Sequence, residues 1–297
     1  IGTISIPATN AANTNHSRAE RRPPPESSRV SVIVEGYTPQ HHAVARGRRS
    51  QAPLSCIVVS TPDPTEPTAM RRAWGILVAG LLIRLVLAAD HPILADEAYY
   101  WTWSRALATG YYDHPPVIAL LIAAGTALFG DTPFGVRVLP NLLGFVTGGA
   151  LILAARRLAR ATAALHVALL LTLLPVAAAG FVLATPDAPL LAGVAVTWLA
   201  ILRATDDATR PSARLAWWCV AGVAIGLAMA SKFTGVLIPA AVAISALLIP
   251  RYRELWRQPG PYVAVGLASL VMAPVLWWNA QHDWVTFAFQ IDHGLGT

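Results

Sequence analysis

The residues best suited to chemistry lie in one segment, 96–114, with the sequence DEAYYWTWSRALATGYYDH. It opens with two adjacent carboxylates, Asp96 and Glu97, and closes on Asp113 and His114. A carboxylate can accept a proton, and a histidine can donate a hydrogen bond or carry charge near neutral pH. Acidic residues also cap helix starts, and Trp and Tyr concentrate where a membrane meets water. By itself the segment fits acid–base chemistry and a capped interfacial helix equally well.

The composition of the chain places these residues in a membrane protein. Of the 297 residues, 55% are hydrophobic and 13% are charged, and the mean hydropathy is +0.51. Soluble domains have about 45–50% apolar and about 25% charged residues. The net charge of +6 comes from short arginine clusters between apolar segments, which is typical of cytoplasmic loops and not of nucleic-acid binding. We therefore expect an all-α polytopic membrane protein that binds no nucleic acid.

Seven apolar segments have roughly the 17–23 residues needed to cross a hydrocarbon core. The shorter apolar segment 116–130 is ambiguous by length alone. If it lies along the membrane surface, all four arginine clusters fall on one side, which the positive-inside rule makes cytoplasmic. We therefore predict 116–130 to be an interfacial helix in the first outer loop. The predicted spans are 73–89, 135–154, 161–183, 187–203, 215–231, 233–249 and 261–278.

This topology collects most of the acidic and histidine side chains of the membrane region on the outer face, so any chemistry should face the periplasm or exterior. They are Asp90, Asp96, Glu97, Asp113, Asp131, Asp187, Asp283 and Asp292, with His91, His114, His282 and His293. The preceding residues 1–69 are rich in Pro, Arg and Ser and have no helical or strand period. We expect them to be a disordered extension, either misassigned ahead of a start at Met70 or a cytoplasmic tail. The membrane module then covers 70–297.

Four motifs follow one another along this module: ADEAYYWTWSRAL, GYYDHPPVIALLIAAGTALFGDTPFGVRVLP, TPDAPL and SKFTGVLIP. In order and spacing they resemble bacterial members of glycosyltransferase family 39, which are relatives of the protein O-mannosyltransferases and the lipid A aminoarabinose transferases. The resemblance covers about residues 70–297 and implies the GT-C membrane fold. The first seven spans of that fold form its shared module, so the chain resembles this module without the later helices.

The resemblance implies an inverting transfer of a sugar from a polyprenyl-phosphate donor to an acceptor hydroxyl at the outer face of the cytoplasmic membrane. It makes Asp96 the base, with Glu97 as the second catalytic candidate. Such a displacement also needs cations that stabilise the leaving phosphate. The cations expected there are Lys232, which is the only lysine in the chain, and His114, Arg137 and Arg84.

Each of these cations has a plainer interpretation as well. Lys232 can be a lysine that ends a span and extends to the membrane surface, and Arg137 can be a headgroup anchor. Arg84 lies deep in the first span, where a charge faces a cavity or a partner such as Asp187. A transporter or flippase of polyprenyl-linked sugars is the alternative function. Transporters usually carry internal repeats and broken helices, whereas here we find no repeat and the acids cluster at one face.

Asp187, Asp113 and Tyr112 are the expected substrate-binding residues. Asp187 can bind sugar hydroxyls or orient groups around Asp96, and its alternative role is a helix cap before Pro189. The motif YYDHPP departs from the YFEKPP pattern of the aminoarabinose branch, which leaves the sugar open. Asp113 and His114 can also bind a divalent ion together with His282 or His293, but the spacing is loose and no cofactor is assigned.

Overall fold

The structure is a computed structural model that describes residues 66–295, and within this range the chain forms helices and no strands. This confirms the expected all-α architecture. We expected residues 1–69 to be a disordered extension. Residues 1–65 lie outside the described residues. The expectation is wrong for 66–69, because these residues form the first turn of α1. The helices are α1 (Glu66–Asp90), α2 (Ala95–Ser104), α3 (Val117–Phe129), α4 (Pro133–Leu158), α5 (Ala161–Leu173), α6 (Pro175–Val182), α7 (Asp187–Ala204), α8 (Pro211–Met229), α9 (Leu237–Leu248), α10 (Pro259–Gln281) and α11 (Val285–Leu295).

Five described helices, α1, α4, α7, α8 and α10, are long and apolar enough to cross a membrane. The helices α5 and α6 pass the same test only as a pair, which is the pattern of a broken span or of a re-entrant loop, and they are bent by 68° because Pro175 supplies no N–H to continue the helix. The predicted span 233–249 is a 3-10 helix, Phe233–Val236, followed by the 12-residue α9. At 1.5 Å per residue α9 is about 18 Å long, which is short of a hydrocarbon core of about 30 Å. The predicted count of seven is therefore not confirmed.

Small residues bring the long helices into close contact. On α8, a Cβ at Gly222 would lie 2.5 Å from the backbone oxygen of Ala264 on α10. On α4, a Cβ at Gly148 would lie 2.3 Å from the Leu77 side chain of α1. Large apolar side chains such as Leu82 and Val86 remain exposed on the outside of the bundle. Both features are typical of helices packed within lipid, where small residues allow close backbone approach.

The short helices α2 and α3 pack against each other and bring the first two predicted site motifs together. Helix α3 packs against α2 and α4, and its Ile118 and Ile122 are fully buried beneath the aromatic face of α2. The start of α3 is joined to the end of α8 by the hydrogen bond from Val117 N–H to the Ala230 oxygen, at 3.3 Å. Helix α3 has 13 residues and is about 20 Å long, which fits the interfacial helix predicted at 116–130.

Candidate active site

The two adjacent carboxylates of α2 have opposite environments, and Glu97 is the buried one. Arg137 of α4 donates from Nε to Glu97 Oε1 at 2.7 Å and from Nη2 to Oε2 at 2.5 Å. The backbone N–H groups of Ala184 and Leu94 donate to the same carboxylate, each at 2.9 Å. The Leu94 bond caps the start of α2, so the capping role considered for the acidic pair belongs to Glu97. Glu97 thus joins α2 to α4 and to the α6–α7 loop.

The hydrogen bonds of Glu97 also decide its protonation. Burial by itself would raise the pKa of this carboxyl group, but the hydrogen bonds from Arg137, Ala184 and Leu94 outweigh burial and lower the pKa below its ordinary value. Each carboxylate oxygen already accepts two hydrogen bonds. Glu97 is therefore a poor proton acceptor, and its bonds suit a supporting role behind Asp96 and not the role of catalytic base.

Arg137 is engaged just as fully. Besides its bonds to Glu97, it donates from Nη1 to the oxygens of Ala88 (3.2 Å) and His91 (2.8 Å), and from Nη2 to the oxygen of Pro92 (2.8 Å). A guanidinium has five N–H donors, and all five are used here. The expected phosphate contact of Arg137 is wrong for this reason, and so is the headgroup-anchor alternative, because the side chain is only 1% exposed.

Asp96, by contrast, points to solvent at the start of α2. It is exposed, and within residues 66–295 its carboxylate forms no hydrogen bond or ion pair. Tyr100 lies one helical turn further on, and its pKa is raised to about 12 by burial and then by the charges of Asp96, Asp113 and Asp187. The Tyr100 ring also lies beside His114, with the two ring centroids 6.0 Å apart. The structure therefore brings the helix that carries Asp96 next to the segment that carries Asp113 and His114.

The only lysine of the chain, Lys232, follows the end of α8 and lies near Asp187 and His114. Lys232 Nζ donates to Asp187 Oδ1 at 2.8 Å, and both side chains remain partly exposed. Asp187 begins α7, so the ion pair links the α6–α7 loop to the turn after α8. The pairing of Asp187 with Arg84 that we considered is wrong, because Lys232 takes that place. The ammonium group keeps two further N–H donors for a ligand.

His114 lies between this ion pair and Asp113. Its Nδ1 is 3.5 Å from Asp113 Oδ2, without the geometry of a hydrogen bond. Burial lowers the pKa of His114, Asp113 and Asp187 raise it, and Lys232 adds to the lowering, with a net decrease. The imidazole is therefore neutral at pH 7 and acts by hydrogen bonding. His114, Lys232 and Gln290 line a pocket of about 290 Å³ together with apolar residues from 233–237.

The other residues predicted for the site, Asp113, Tyr112 and Arg84, do not all lie near the Lys232–His114 pocket. Asp113 accepts a hydrogen bond from Tyr99 at 3.3 Å, and Tyr112 is exposed with its ring 5.1 Å from that of Phe289. Arg84 lines a separate cavity that includes no residue of the Lys232–His114 pocket. In the described part of the chain no three His, Cys, Asp or Glu side chains are placed to hold a metal ion. His282 stacks on Trp278 and His293 on Phe289, so the expected metal set is not assembled and we carry it no further.

Two residues of the site were not predicted from the sequence. Tyr100 carries a detectable signal, since it lies four residues after Asp96 and hence on the same helix face. Gln290, on α11, donates to the backbone oxygen of Asp113 at 2.6 Å and lines the pocket. It lies 177 residues from Asp113, so nothing in the local pattern indicates the contact.

A comparison with protein families decides the class. The family model described as dolichyl-phosphate-mannose-protein mannosyltransferase matches residues 113–278, which is more than half of the chain. The chain belongs to this family. The match confirms the family of glycosyltransferases expected from the four sequence motifs. The matched residues begin within the YYDHPP segment and end within α10.

Curated members of the wider group have similar sequences but are longer. The lipid A galacturonosyltransferase RgtD of Rhizobium johnstonii is 35% identical over 189 residues, which are 63% of this chain and 38% of RgtD. The undecaprenyl phosphate-alpha-4-amino-4-deoxy-L-arabinose arabinosyl transferase 1 of Pseudomonas fluorescens is 31% identical over an alignment 251 residues long, which covers 76% of this chain and 43% of the relative. The polyprenol-phosphate-mannose–protein mannosyltransferase of Mycobacterium tuberculosis is 30% identical over 251 residues, with shares of 67% and 46%. The chain spans less than half the length of each of these relatives.

Solved structures establish the fold of this family member. ArnT from Cupriavidus metallidurans bound to undecaprenyl phosphate superposes with a TM-score of 0.63 at 23% identity, covering 71% of this chain and 42% of ArnT. Its apo structure gives a TM-score of 0.62 with the same coverage. The chain therefore has the GT-C fold, as its motifs predicted.

Proposed function

We propose that this family member transfers a sugar from a polyprenyl-phosphate donor to a hydroxyl acceptor of the cell envelope, with its site on the outer face of the membrane. One observation carries the proposal: Asp96 is an exposed carboxylate one helical turn from Tyr100, and the Tyr100 ring lies 6.0 Å from that of His114, which lines a pocket with Lys232. The relatives' names, which include an undecaprenyl phosphate-aminoarabinose transferase and a polyprenol-phosphate-mannose transferase, support a lipid-phosphate donor.

Lys232 and His114 are the groups that would hold the donor phosphate. Lys232 uses one donor on Asp187, which orients the ammonium, and it directs two donors to a ligand. His114 is neutral and adds a hydrogen bond without charge, and the pocket of about 290 Å³ beside them admits a phosphate group. An ammonium ion so placed stabilises the negative charge that grows on the phosphate as it leaves.

Asp96 is the group that would take up the proton. In the transfer, the acceptor oxygen forms a bond to the anomeric carbon while the bond from that carbon to the phosphate oxygen breaks. The phosphate leaves with the bonding electron pair toward Lys232, and the acceptor proton moves to Asp96. Attack opposite to the leaving phosphate inverts the anomeric configuration. Asp96 suits this role because its carboxylate is exposed and has no bond to break before it accepts the proton.

The test is sugar transfer by the purified full-length protein from undecaprenyl phosphate carrying aminoarabinose, galacturonic acid or mannose, the sugars of the three relatives. Asp96→Asn keeps the size of the side chain but removes its basicity, so turnover should fall by about 10²–10⁴-fold. Asp90→Asn, at another exposed acid of the same end, is the matched control and should leave turnover unchanged. Full turnover in Asp96→Asn would overturn the assignment.

A further inference from the structure

A second cavity, of about 560 Å³, lies between α1 and the bent pair α5–α6. Its walls are largely apolar, and they include Ile83 and Leu87 of α1 and Val182 and Leu183 at the end of α6. Ile83 is 59% exposed, which shows that the cavity opens toward the lipid-facing surface of α1. This cavity shares no residue with the pocket proposed for the donor phosphate.

A buried charge without a partner lies in this cavity. Arg84 is 3% exposed, and its Nε and Nη2 atoms have no hydrogen-bond partner among the described residues. The guanidinium lies over the Phe181 ring, whose centroid is 5.8 Å from the guanidinium carbon. A buried charge in a membrane span normally pairs with an opposite charge or a polar group, because leaving it unpaired is costly. In most membrane proteins such a charge marks a functional site.

A second buried polar group without a hydrogen-bond partner among the described residues lies beside Arg84. The Oγ1 atom of Thr172 on α5 is buried and has no hydrogen-bond partner within the described range. A Cβ at Gly80 would lie 2.9 Å from this atom and 3.3 Å from Arg84 Nη1, so the two side chains converge beside Gly80. Guanidinium N–H groups together with a hydroxyl form a site for an oxyanion.

Among the described residues, two acids that could supply that oxyanion are already paired. The buried Glu97 is held by Arg137, and the partly exposed Asp187 is held by Lys232. Water can satisfy the N–H donors, but it does not neutralise the charge. The anion must therefore come from a ligand, and the surrounding apolar walls at this depth suit one that carries hydrocarbon. Arg84 lies six residues before the end of α1, or about 9 Å along the helix.

We propose that this cavity binds an anionic lipid, with its phosphate or carboxylate group on Arg84 and Thr172 and its hydrocarbon chain against Ile83, Leu87 and Val182. The site contains none of Lys232, His114 and Asp96, the residues proposed above for the donor phosphate and for the base. Its far end is lined by His91, Pro92 and Leu94, the loop that precedes Asp96. A bound lipid therefore lies directly against the segment that positions α2.

The test is lipid binding to the delipidated full-length protein, followed by native mass spectrometry. The probes are phosphatidylglycerol, a neutral galactosyl-diacylglycerol with the same acyl chains, and inorganic phosphate. We expect one phosphatidylglycerol to bind at least about tenfold more tightly than the neutral lipid, the value of one charge-assisted bond. Arg84→Gln should abolish this preference, and Thr172→Val should weaken it. Arg105→Gln, at an exposed arginine paired with Asp131, is the control and should preserve it.

Three outcomes would overturn the proposal. Equal binding of the two lipids by the wild-type protein would show that the cavity does not select an anion. A retained preference in a folded Arg84→Gln protein would place the anion elsewhere, and Thr172→Val, which keeps the shape of the side chain, gives a second measure if Arg84→Gln fails to fold. Saturable binding of inorganic phosphate at Arg84 that displaces the lipid would indicate a free-anion site. None of these measurements depends on transferase activity, so failure here leaves the proposed function untouched.

Discussion

Asp96 and Glu97 show how neighbouring residues of one type acquire opposite properties. Successive helix positions are about 100° apart, so α2 directs Glu97 into the bundle and Asp96 outward. Glu97 meets Arg137 and two backbone N–H groups there, whereas Asp96 meets none of them. One carboxylate is therefore fixed in its charged form as part of the fold, and the other stays free for chemistry.

We predict that Glu97→Gln destabilises the protein strongly. The change leaves the Arg137 guanidinium buried without its counter-charge, and breaking one side of such a pair costs about 3–5 kcal/mol. Thermal unfolding of the purified protein in detergent measures the effect, and Asp96→Asn is the control that should unfold at the wild-type temperature. Because the folded pKa of Glu97 is lowered, its stabilisation is present above its ordinary pKa of 4.5 and is lost as the pH falls below it. Equal stability of Glu97→Gln and Asp96→Asn would contradict the assignment.

A further residue-scale prediction concerns Lys232. Lys232→Ala removes both the cation of the pocket and the partner of Asp187, so donor use should fall strongly. Lys232→Arg should rescue it only in part, because a planar forked guanidinium cannot replace a compact ammonium between Asp187 and the pocket. Donor affinity and turnover of the purified full-length variants are the measurements. Wild-type values for both in Lys232→Ala would leave His114 as the phosphate ligand.

At the scale of the elements, the contact between α8 and α10 depends on the absence of a side chain at Gly222. The nearest atoms to its virtual Cβ are the backbone O, Cα and C of Ala264, at 2.5–3.0 Å. Backbone cannot rotate away as a long side chain can. Around this contact the buried residues are mostly alanines, among them Ala200 and Ala221. The pair is thus held by close backbone packing and not by interlocking large side chains.

We predict that Gly222→Ala destabilises the bundle whereas Gly266→Ala does not. The first substitution forces α8 and α10 apart, at a cost of about 1–3 kcal/mol for overpacking. Gly266 also lies in α10, but no atom lies within 4 Å of its virtual Cβ, so alanine gains up to about 1 kcal/mol in helix propensity. Thermal unfolding of both variants in one detergent gives the comparison. A lower midpoint for Gly266→Ala than for Gly222→Ala would contradict the packing described.

At the scale of the whole molecule, the two ends of the bundle differ in charge. The end that holds the site carries Asp96, Asp113 and Asp187, whereas arginines such as Arg156, in the last turn of α4, and Arg214, in the first turn of α8, lie at the other end. Arginine clusters remain on the cytoplasmic side during membrane insertion. We therefore propose that the site end faces the periplasm or exterior.

This orientation predicts a labelling pattern in intact cells. A cysteine at Asp131, in the exposed turn between α3 and α4, should react with a membrane-impermeant thiol reagent, and one at Ala159, beyond the α4 arginines, should not. Both are introduced into a background that lacks Cys56 and Cys219, and lysed cells provide the control in which both positions react. Labelling of Ala159 alone would place the site on the cytoplasmic side.

The sequence by itself determined the class, the helical architecture and most of the site. Apolar segments of membrane-spanning length follow directly from composition, so α4, α7, α8 and α10 are predicted to within about four residues, whereas α1 begins seven residues before its predicted span. The bend at Pro175 and the shortness of α9 are not predicted, because the apolar pattern continues across both breaks. Asp96, His114, Asp187 and Lys232 are candidates from the sequence because each belongs to a short motif in a predicted outer loop.

Only the tertiary structure decided which charges are free. Arg137 and Glu97 are 40 residues apart, and nothing along the chain shows that each saturates the other. The same holds for Asp187, which meets Lys232 across 45 residues and leaves Arg84 in its own cavity without a partner in the range 66–295. The physical reason is that the availability of a charged group depends on the distances and desolvation set by packing, whereas the sequence fixes only which groups exist and on which helix face they lie.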